Sequence, residues 1–193
     1  MPYISYENRQ IQFKIVYFGP GLSGKTTNLS WIHRVLAPEV KGELVMLNTD
    51  EDRTLFFDFF PVELGQVDGY HIRINLYTVP GQVYYEASRR LVLDGADGVV
   101  FVADSNESRI EANLEMFDLM RASFQHYDWD LRTFPLMMQY NKRDCPDPIP
   151  LGAVERKMGC ADLPVRESIA IRGVGVLETI RDISRMVVAR FEM

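Results

Sequence analysis

Short apolar segments alternate with longer segments of helical period along most of the chain. In residues 10–18 the apolar side chains at 11, 13, 15 and 17 share one face, and those at 16 and 18 make the second face apolar, which predicts a strand. Thr26–Leu36 follows with Leu29, Ile32 and Leu36 at helical spacing. Repeated alternation of this kind predicts an open, mostly parallel sheet with helices on both faces.

The same periodicities predict further elements downstream. Strands are expected at Leu55–Leu64, Tyr70–Tyr77, Gly98–Ala103, Phe134–Tyr140 and Leu163–Ala170, with the first two joined by an Asp68-Gly69 hairpin turn. Helices are expected at Ser108–Phe124, where Ser108 and Glu111 form a capping box, at Leu151–Met158, and from about Gly175. The last helix should bury Leu177, Ile180, Ile183, Val187 and Phe191.

A glycine-rich loop separates the first long strand from the helix that follows it. It matches the pattern G-x-x-x-x-G-K-[ST] of the phosphate-binding loop, or P-loop, with the residues Gly19-Pro20-Gly21-Leu22-Ser23-Gly24-Lys25-Thr26. Backbone N–H groups of such a loop converge on a β-phosphate, and the helix N-terminus adds favourable partial charge. Lys25 can reach the β- and γ-phosphates, and the Thr26 hydroxyl can ligate Mg²⁺. An ordinary glycine-rich turn rarely carries Lys-Thr at this register, so we expect a nucleoside triphosphate here.

A second motif, Asn141-Lys142-Arg143-Asp144, follows a buried strand and indicates which base is bound. The Asp144 carboxylate can accept hydrogen bonds from both the ring N–H and the exocyclic amine of guanine, a donor pair that adenine lacks. The Lys142 stem can lie over the base, and Asn141 can tie this loop to the P-loop. We expect Ser168-Ile169-Ala170 to complete the pocket, with the Ala170 N–H facing the guanine oxygen.

Composition excludes several other classes of protein. The chain has 193 residues, 47% of them hydrophobic, with 21 basic and 27 acidic residues and a net charge of −6. This acidic balance is unsuited to nonspecific nucleic-acid binding. The only two cysteines, Cys145 and Cys160, form neither a disulfide framework nor a zinc motif. No secretory signal or lipid-anchor motif is found, and we expect a cytoplasmic protein.

The two motifs together resemble those of Ras-like small GTPases over nearly the whole chain. The P-loop with Thr27 and Asn28, the segment Asp50–Phe60, the stretch Tyr77-Thr78-Val79-Pro80-Gly81-Gln82 and Asn141–Asp144 closely resemble the MglA family, prokaryotic small GTPases of gliding motility and cell polarity. The resemblance implies one small-GTPase domain over residues 1–193, a six-stranded Ras-type sheet flanked by helices, and two switch segments.

The resemblance also implies ligands and partners. GTP is the substrate, GDP the product and Mg²⁺ the cofactor, with Thr26 and Thr54 as metal ligands. The nucleotide contacts are Gly19, Gly21, Leu22, Ser23, Gly24, Lys25, Thr26, Thr27, Thr54, Asn141, Lys142, Asp144 and Ala170. A roadblock/longin-type GTPase-activating protein of the MglB kind is the expected partner, besides effectors that the sequence does not identify. Partners would recruit the protein to cell poles.

The sequence departs from the usual Ras pattern at a few positions. Thr78 stands where most Ras-like proteins have an aspartate bonded to a magnesium-bound water, and a neutral threonine cannot replace that charge; Asp58 is the candidate to supply it. The threonine is shared by the MglA family. Leu22 replaces a usual glycine, and Ile169-Ala170-Ile171 replaces the usual Ser-Ala-Lys.

Four residues are the candidates for hydrolysis and for sensing its progress. The Gly81 N–H can contact the γ-phosphate and the Gln82 amide can orient the attacking water, rather than forming a simple Pro-Gly turn. Thr54 is expected to sense Mg²⁺ and the γ-phosphate in the first switch segment. The alternative is that Thr54 is only a polar residue at the start of a strand. Arg53 is, by resemblance, an arginine finger supplied in cis; the alternative is a surface arginine paired with Glu51 or Asp52.

Three functions are compatible with these residues. The first is a GTP-hydrolysing molecular switch that is slow without its partner. The second is a GTP-dependent binding module with negligible hydrolysis, which Thr78 favours and Gln82 disfavours. The third is a P-loop kinase for a small acceptor, which leaves Asn141–Asp144 unexplained.

Overall fold

The computed structural model describes residues 2–36, 38–48, 54–81, 86–160 and 162–191, and only the backbone at 40, 46–48, 54–57, 64 and 67. Its strands are β1 Tyr3–Ser5, β2 Gln10–Phe18, β3 Val45–Asn48, β4 Thr54–Val67, β5 Tyr70–Thr78, β6 Gly98–Asp104, β7 Leu136–Asn141 and β8 Val165–Glu167. Its helices are α1 Lys25–Val35, α2 Glu86–Leu93, α3 Ile110–His126, α4 Ala153–Lys157 and α5 Val176–Phe191. None of the helices in these ranges combines the length and apolarity needed to cross a membrane.

One mostly parallel sheet forms the centre of the fold. Its order is β3-β4-β5-β2-β6-β7-β8, with β1 added antiparallel to the start of β2. The pairs β2/β5, β2/β6, β6/β7 and β7/β8 are parallel, whereas β4 is antiparallel to both β3 and β5. The six expected strands are therefore present, and the α/β class is confirmed. The short strands β1 and β3 are additional.

Helices cover both faces of the sheet, as the alternating pattern of β2 predicts. Phe13, Ile15 and Tyr17 belong to one apolar core, which includes residues of α1 and α5. Val16 and Phe18 belong to a second core, which includes residues of α2, α3 and α4. Strand β6 is buried along its whole length, consistent with its continuous apolar sequence.

Two local expectations for the helices are wrong. Helix α3 follows a 3-10 turn over Glu107–Arg109, and Arg109 at its N-cap makes no side-chain capping bond in the described structure, so Ser108 and Glu111 do not form a capping box there. In α5 the residues Leu177 and Phe191 are 42% and 41% exposed. Leu177 lies beside the buried stripe rather than on it, and Phe191 lies at the very end of the helix, although its ring is 5.6 Å from that of Phe13.

Candidate functional site

The predicted motifs meet at the carboxyl edge of the sheet. Strands β2, β6 and β7 are parallel neighbours, and they end at Phe18, Asp104 and Asn141. The P-loop follows the first of these strands and the base-recognition motif follows the third. Open α/β sheets bind ligands in the crevice beyond such strand ends. The topology thus gathers both motifs on one side of the molecule.

The P-loop joins β2 to α1 and is closely packed at Gly24. This residue is the N-cap of α1 with φ of 99°, in the left-handed region that favours glycine. A Cβ atom there would lie 2.2 Å from Asn141 Nδ2, so a side chain would displace the base-recognition motif. Gly24 therefore allows the two motifs to make contact.

Lys25 is a buried cation within the loop. Its Nζ donates hydrogen bonds to the carbonyl oxygens of Gly19 and Pro20, at 2.9 and 2.7 Å. Burial lowers the pKa of Lys25 to about 7; the charge of Asp58 opposes this shift and that of Arg89 adds to it. A buried ammonium disfavoured by desolvation and by a neighbouring cation is stabilised by an anion, which suits a phosphate site.

The remaining predicted P-loop residues take their expected places. Gly21, Leu22 and Ser23 lie between β2 and α1, and Thr26 and Thr27 are in the first turn of α1. Gly81 packs directly against this loop, because a Cβ built on Gly81 would lie 2.4 Å from Gly21 N. The start of the predicted second switch segment is therefore in contact with the P-loop.

Asn141 ties three loops together. Its Nδ2 donates to the Ser23 carbonyl in the P-loop at 2.8 Å. Its Oδ1 accepts hydrogen bonds from Ser168 Oγ at 3.1 Å and from the Ala170 N–H at 2.9 Å. The Ala170 N–H, expected to face a guanine oxygen, is thus bonded to Asn141 in this structure. The Asn141 contact to the P-loop agrees with the sequence-based expectation.

Lys142 and Asp144 each pair with a residue that sequence analysis missed. Lys142 Nζ lies 2.6 Å from Oδ2 of Asp104, a carboxylate buried at the end of β6. Asp144 Oδ2 lies 3.7 Å from the guanidinium of Arg172, which directly follows Ile171. The usual lysine of this loop is missing, and Arg172 places a cation beside Asp144. No sequence signal marks either partner.

Arg143, between these two residues, anchors the motif from behind. Its guanidinium donates to the Ile149 carbonyl at 2.7 Å and pairs with Glu167 at 3.0 Å. Its backbone N–H donates to the Ser168 carbonyl at 3.2 Å. The loop that carries Lys142 and Asp144 is therefore fixed to β8 and to the segment that precedes α4.

A buried carboxylate faces the P-loop threonine. Thr26 Oγ1 donates to Asp58 Oδ2 at 2.5 Å, and Thr78 Oγ1 donates to the same oxygen at 3.0 Å. The Asp58 N–H in turn donates to Thr78 Oγ1 at 2.8 Å. Asp58 is fully buried, and its Oδ1 has no hydrogen-bond partner among the described residues. The Asp58 carboxylate and the Thr26 hydroxyl are hard oxygen donors that could hold Mg²⁺.

The other candidates for hydrolysis lie mostly outside the described residues. Arg53 and Gln82 are both outside those ranges, so their predicted roles stay predictions. Thr54 is the first residue of β4, and only its backbone is described.

Comparison with known proteins finds a relative that matches over the full length of the chain. No protein-family profile matches the chain. The chain is 46% identical over 192 residues to the mutual gliding-motility protein MglA of Myxococcus xanthus (strain DK1622), an alignment that covers all of this chain and 98% of the relative. Identity at this level over the full length of both proteins places the chain in a family: it belongs to the MglA family.

Proposed function

We propose that this protein is a molecular switch that binds guanine nucleotides and hydrolyses GTP to GDP and phosphate. The observation that carries the proposal is the Asn141 side chain, which bonds the P-loop at Ser23 and the loop at Ala170 simultaneously. A phosphate loop and a guanine-recognition motif held together at one sheet edge fit a single nucleotide that spans both.

The choice of guanine rests on Asp144. Its carboxylate is about one-third exposed and accepts charge-assisted contacts, here from Arg172. Guanine offers two N–H donors along one edge, which a carboxylate accepts in a bidentate manner. Lys142, held at Asp104, would cover the base with its aliphatic stem.

Magnesium fits the donors present at Thr26 and Asp58. A hydroxyl and a buried carboxylate, whose Oδ1 has no partner in the described part of the chain, suit a small, hard cation that keeps several of its waters. Mg²⁺ bound there would neutralise charge on the β- and γ-phosphates. Asp58 supplies the negative charge that Thr78 cannot, since the Thr78 hydroxyl orients Asp58 instead. Thr54 is proposed as a further ligand.

Hydrolysis needs a positioned water and stabilised phosphate charge. We assign the water to Gln82, a γ-phosphate contact to the Gly81 N–H, and the transition-state charge to Arg53. The contact of Gly81 with Gly21 supports this assignment, because it puts the second switch segment at the edge of the phosphate cradle. Turnover should be slow until a partner orders these segments.

The family suggests the biological setting. The Myxococcus relative is named for mutual gliding motility. We propose that the chain forms a single small-GTPase domain. This domain would control motility and polarity together with an MglB-type roadblock/longin activating protein. It would work in the cytoplasm and be recruited to cell poles by its partners.

Single-turnover hydrolysis of GTP, with and without a roadblock-type partner, tests the proposal. A slow rate that the partner accelerates is the expected result. A protein that binds GTP tightly but releases no phosphate under either condition would instead be a GTP-dependent binding module. Phosphate transfer to a small acceptor would indicate a kinase.

Base selection has its own test in Asp144→Asn. The amide replaces one acceptor oxygen with a donor, which faces the N–H groups of guanine. GDP affinity should fall by about 10²-fold or more, because a hydrogen bond to a charged group is lost and a donor is left unpaired. Xanthosine diphosphate, which offers an acceptor there, should bind better than GDP. Equal GDP affinity in variant and parent would contradict base recognition by Asp144.

A further inference from the structure

Arg109 brings a guanidinium to the P-loop from outside the motifs. It is the last residue of the 3-10 turn before α3, eighty-eight positions from Gly21. Its Nη2 donates a hydrogen bond to the Gly21 carbonyl at 3.0 Å. Its Nε lies 4.0 Å from Oδ2 of Asp104. The guanidinium therefore bridges the end of β6 to the middle of the phosphate loop.

The Asp104 carboxylate lies at ion-pair distance from this guanidinium and is itself buried. Only 1% of its side chain is exposed. Its Oδ1 accepts hydrogen bonds from the backbone N–H and the Nδ2 of Asn106, at 3.1 and 2.6 Å. Its Oδ2 faces both Arg109 and Lys142. One anchored anion thus pairs closely with Lys142 of the base-recognition motif and attracts, from 4.0 Å, the arginine that contacts the P-loop.

The hydrogen bond to Gly21 acts on the peptide unit that it shares with Leu22. A trans peptide is planar, so its carbonyl and its N–H point in opposite directions. Holding the Gly21 carbonyl toward Arg109 aims the Leu22 N–H away from Arg109, into the loop. A charged donor on the carbonyl also polarises the peptide and strengthens that N–H as a donor.

Leu22 needs such support because of its backbone conformation. Its φ is 65°, in the left-handed region that is unfavourable for a non-glycine residue. The residue is 77% exposed, so side-chain packing provides little compensation. A left-handed residue within a loop can turn successive N–H groups toward one concave site that binds anions. The Arg109 hydrogen bond stabilises the Leu22 conformation from the preceding carbonyl.

We propose that Arg109 is a positioning residue for the phosphate end of the nucleotide, acting through the Gly21–Leu22 peptide to hold the Leu22 N–H toward the β-phosphate. The proposal rests on the guanine-nucleotide function proposed above. Arg109 would therefore affect the binding of the phosphates, whereas Asp144 would affect the binding of the base.

The test compares GDP, GTP and GMP binding in the parent, Arg109→Ala and Arg109→Lys. Arg109→Ala should weaken GDP and GTP binding by about 10- to 100-fold, the range for a hydrogen bond to a charged group. GMP lacks the β-phosphate, and its affinity, measured by competition, should stay within about twofold of the parental value. Arg109→Lys should recover only part of the loss, because one ammonium cannot span Asp104 and Gly21 as the planar guanidinium does.

Arg121 provides a matched control within α3. Its side chain is 38% exposed, as is that of Arg109, and it also donates to a backbone carbonyl, that of Met158, at 3.1 Å. Arg121→Ala should therefore remove the same types of contact without changing nucleotide affinity. In NMR spectra of the GDP complex, the Leu22 amide resonance should move in Arg109→Ala and stay in place in Arg121→Ala.

Each outcome has a defined meaning. Equal losses of GMP and GDP affinity in Arg109→Ala would show that Arg109 supports the fold or the base site, and would overturn the proposal. Parental GDP affinity in Arg109→Ala would overturn it as well. A parent protein that binds neither GDP nor GTP would refute the proposed function itself, and the role of Arg109 with it.

Discussion

The substitution Asp58→Asn tests whether the Asp58 carboxylate replaces the carboxylate that is missing at position 78. The variant keeps the size of the side chain and an oxygen that can accept from Thr26 and Thr78. It removes a negative charge that is fully buried and has one oxygen, Oδ1, without a partner among the described residues. The fold is therefore retained while the proposed metal site loses its anion.

The consequences of Asp58→Asn should depend on whether the metal is bound. Without metal, removing a buried carboxylate relieves its desolvation, which offsets the weaker hydrogen bonds from the two threonines, so stability should change little. With Mg²⁺, loss of a group that orients the ion or its waters typically lowers metal affinity by about 10- to 100-fold. Asp58 also raises the pKa of Lys25, so its loss should lower that pKa.

The assay measures the dissociation rate of fluorescent GDP as Mg²⁺ is titrated, with the protein saturated by nucleotide at the start. Asp58→Asn should shift the midpoint of the titration to about 10- to 100-fold higher Mg²⁺. Glu155→Gln is the matched control, because Glu155 is also fully buried and its Oε1 has no partner among the described residues. Its carboxylate instead bonds Tyr140 near α4, so the Mg²⁺ midpoint should be parental.

A parental Mg²⁺ midpoint in Asp58→Asn, with GDP still bound, would refute the reasoning. The carboxylate would then serve only to link Thr26 to Thr78. A midpoint shift in Glu155→Gln of the same size would show that any buried charge loss perturbs the site, and would remove the specific role of Asp58.

Three further predictions concern turnover and stability. Arg53→Ala should keep GTP affinity within about twofold and lower partner-stimulated turnover by about 10³- to 10⁵-fold, with poor rescue by Lys; full stimulated turnover would leave Arg53 as a surface residue. Gln82→Leu should bind GTP and release phosphate slowly, and a parental rate would mean that another group positions the water. Gly173→Ala should lower thermal stability more than Gly159→Ala. Both glycines have positive φ, at 77° and 71°, so the backbone strain is similar. A Cβ on Gly173 would lie 2.0 Å from Trp31, whereas one on Gly159 would meet nothing within 4 Å. Equal losses by calorimetry would show that backbone strain alone matters.

The sequence sufficed for the elements and motifs whose signals are local. Strand β2 begins and ends where its alternating apolar residues predict, and the P-loop lies between it and α1. The strands β1 and β3 have three and four residues, too few to show a period of two, and were missed. Strand β8 is likewise shorter than its apolar segment, because a turn at Ala170–Arg172 follows it.

Contacts between distant residues could not be predicted in this way. Arg109 and Gly21 are brought together by the parallel arrangement of β2 and β6, and nothing near Arg109 in the sequence indicates that contact. Arg172 and Asp104 are similar cases: an ordinary surface arginine and an ordinary strand-end aspartate have the same local sequence features. Their partners follow only from tertiary structure.

The position of Asp58 depends on a single irregularity in the hairpin of β4 and β5. Val67 pairs with Tyr70 at the turn, and counting back from there without interruption would place Asp58 opposite Val79. A bulge between Glu63 and Gly65 moves the register by one residue, so that Phe59 pairs with Tyr77 and Asp58 comes beside Thr78. Since a shift of one residue exchanges the two faces of a strand, the bulge decides that the carboxylate, and not a neighbouring aromatic ring, faces Thr26. An acidic residue within an aromatic strand can be noticed in the sequence, but the side of the sheet it occupies follows from this bulge.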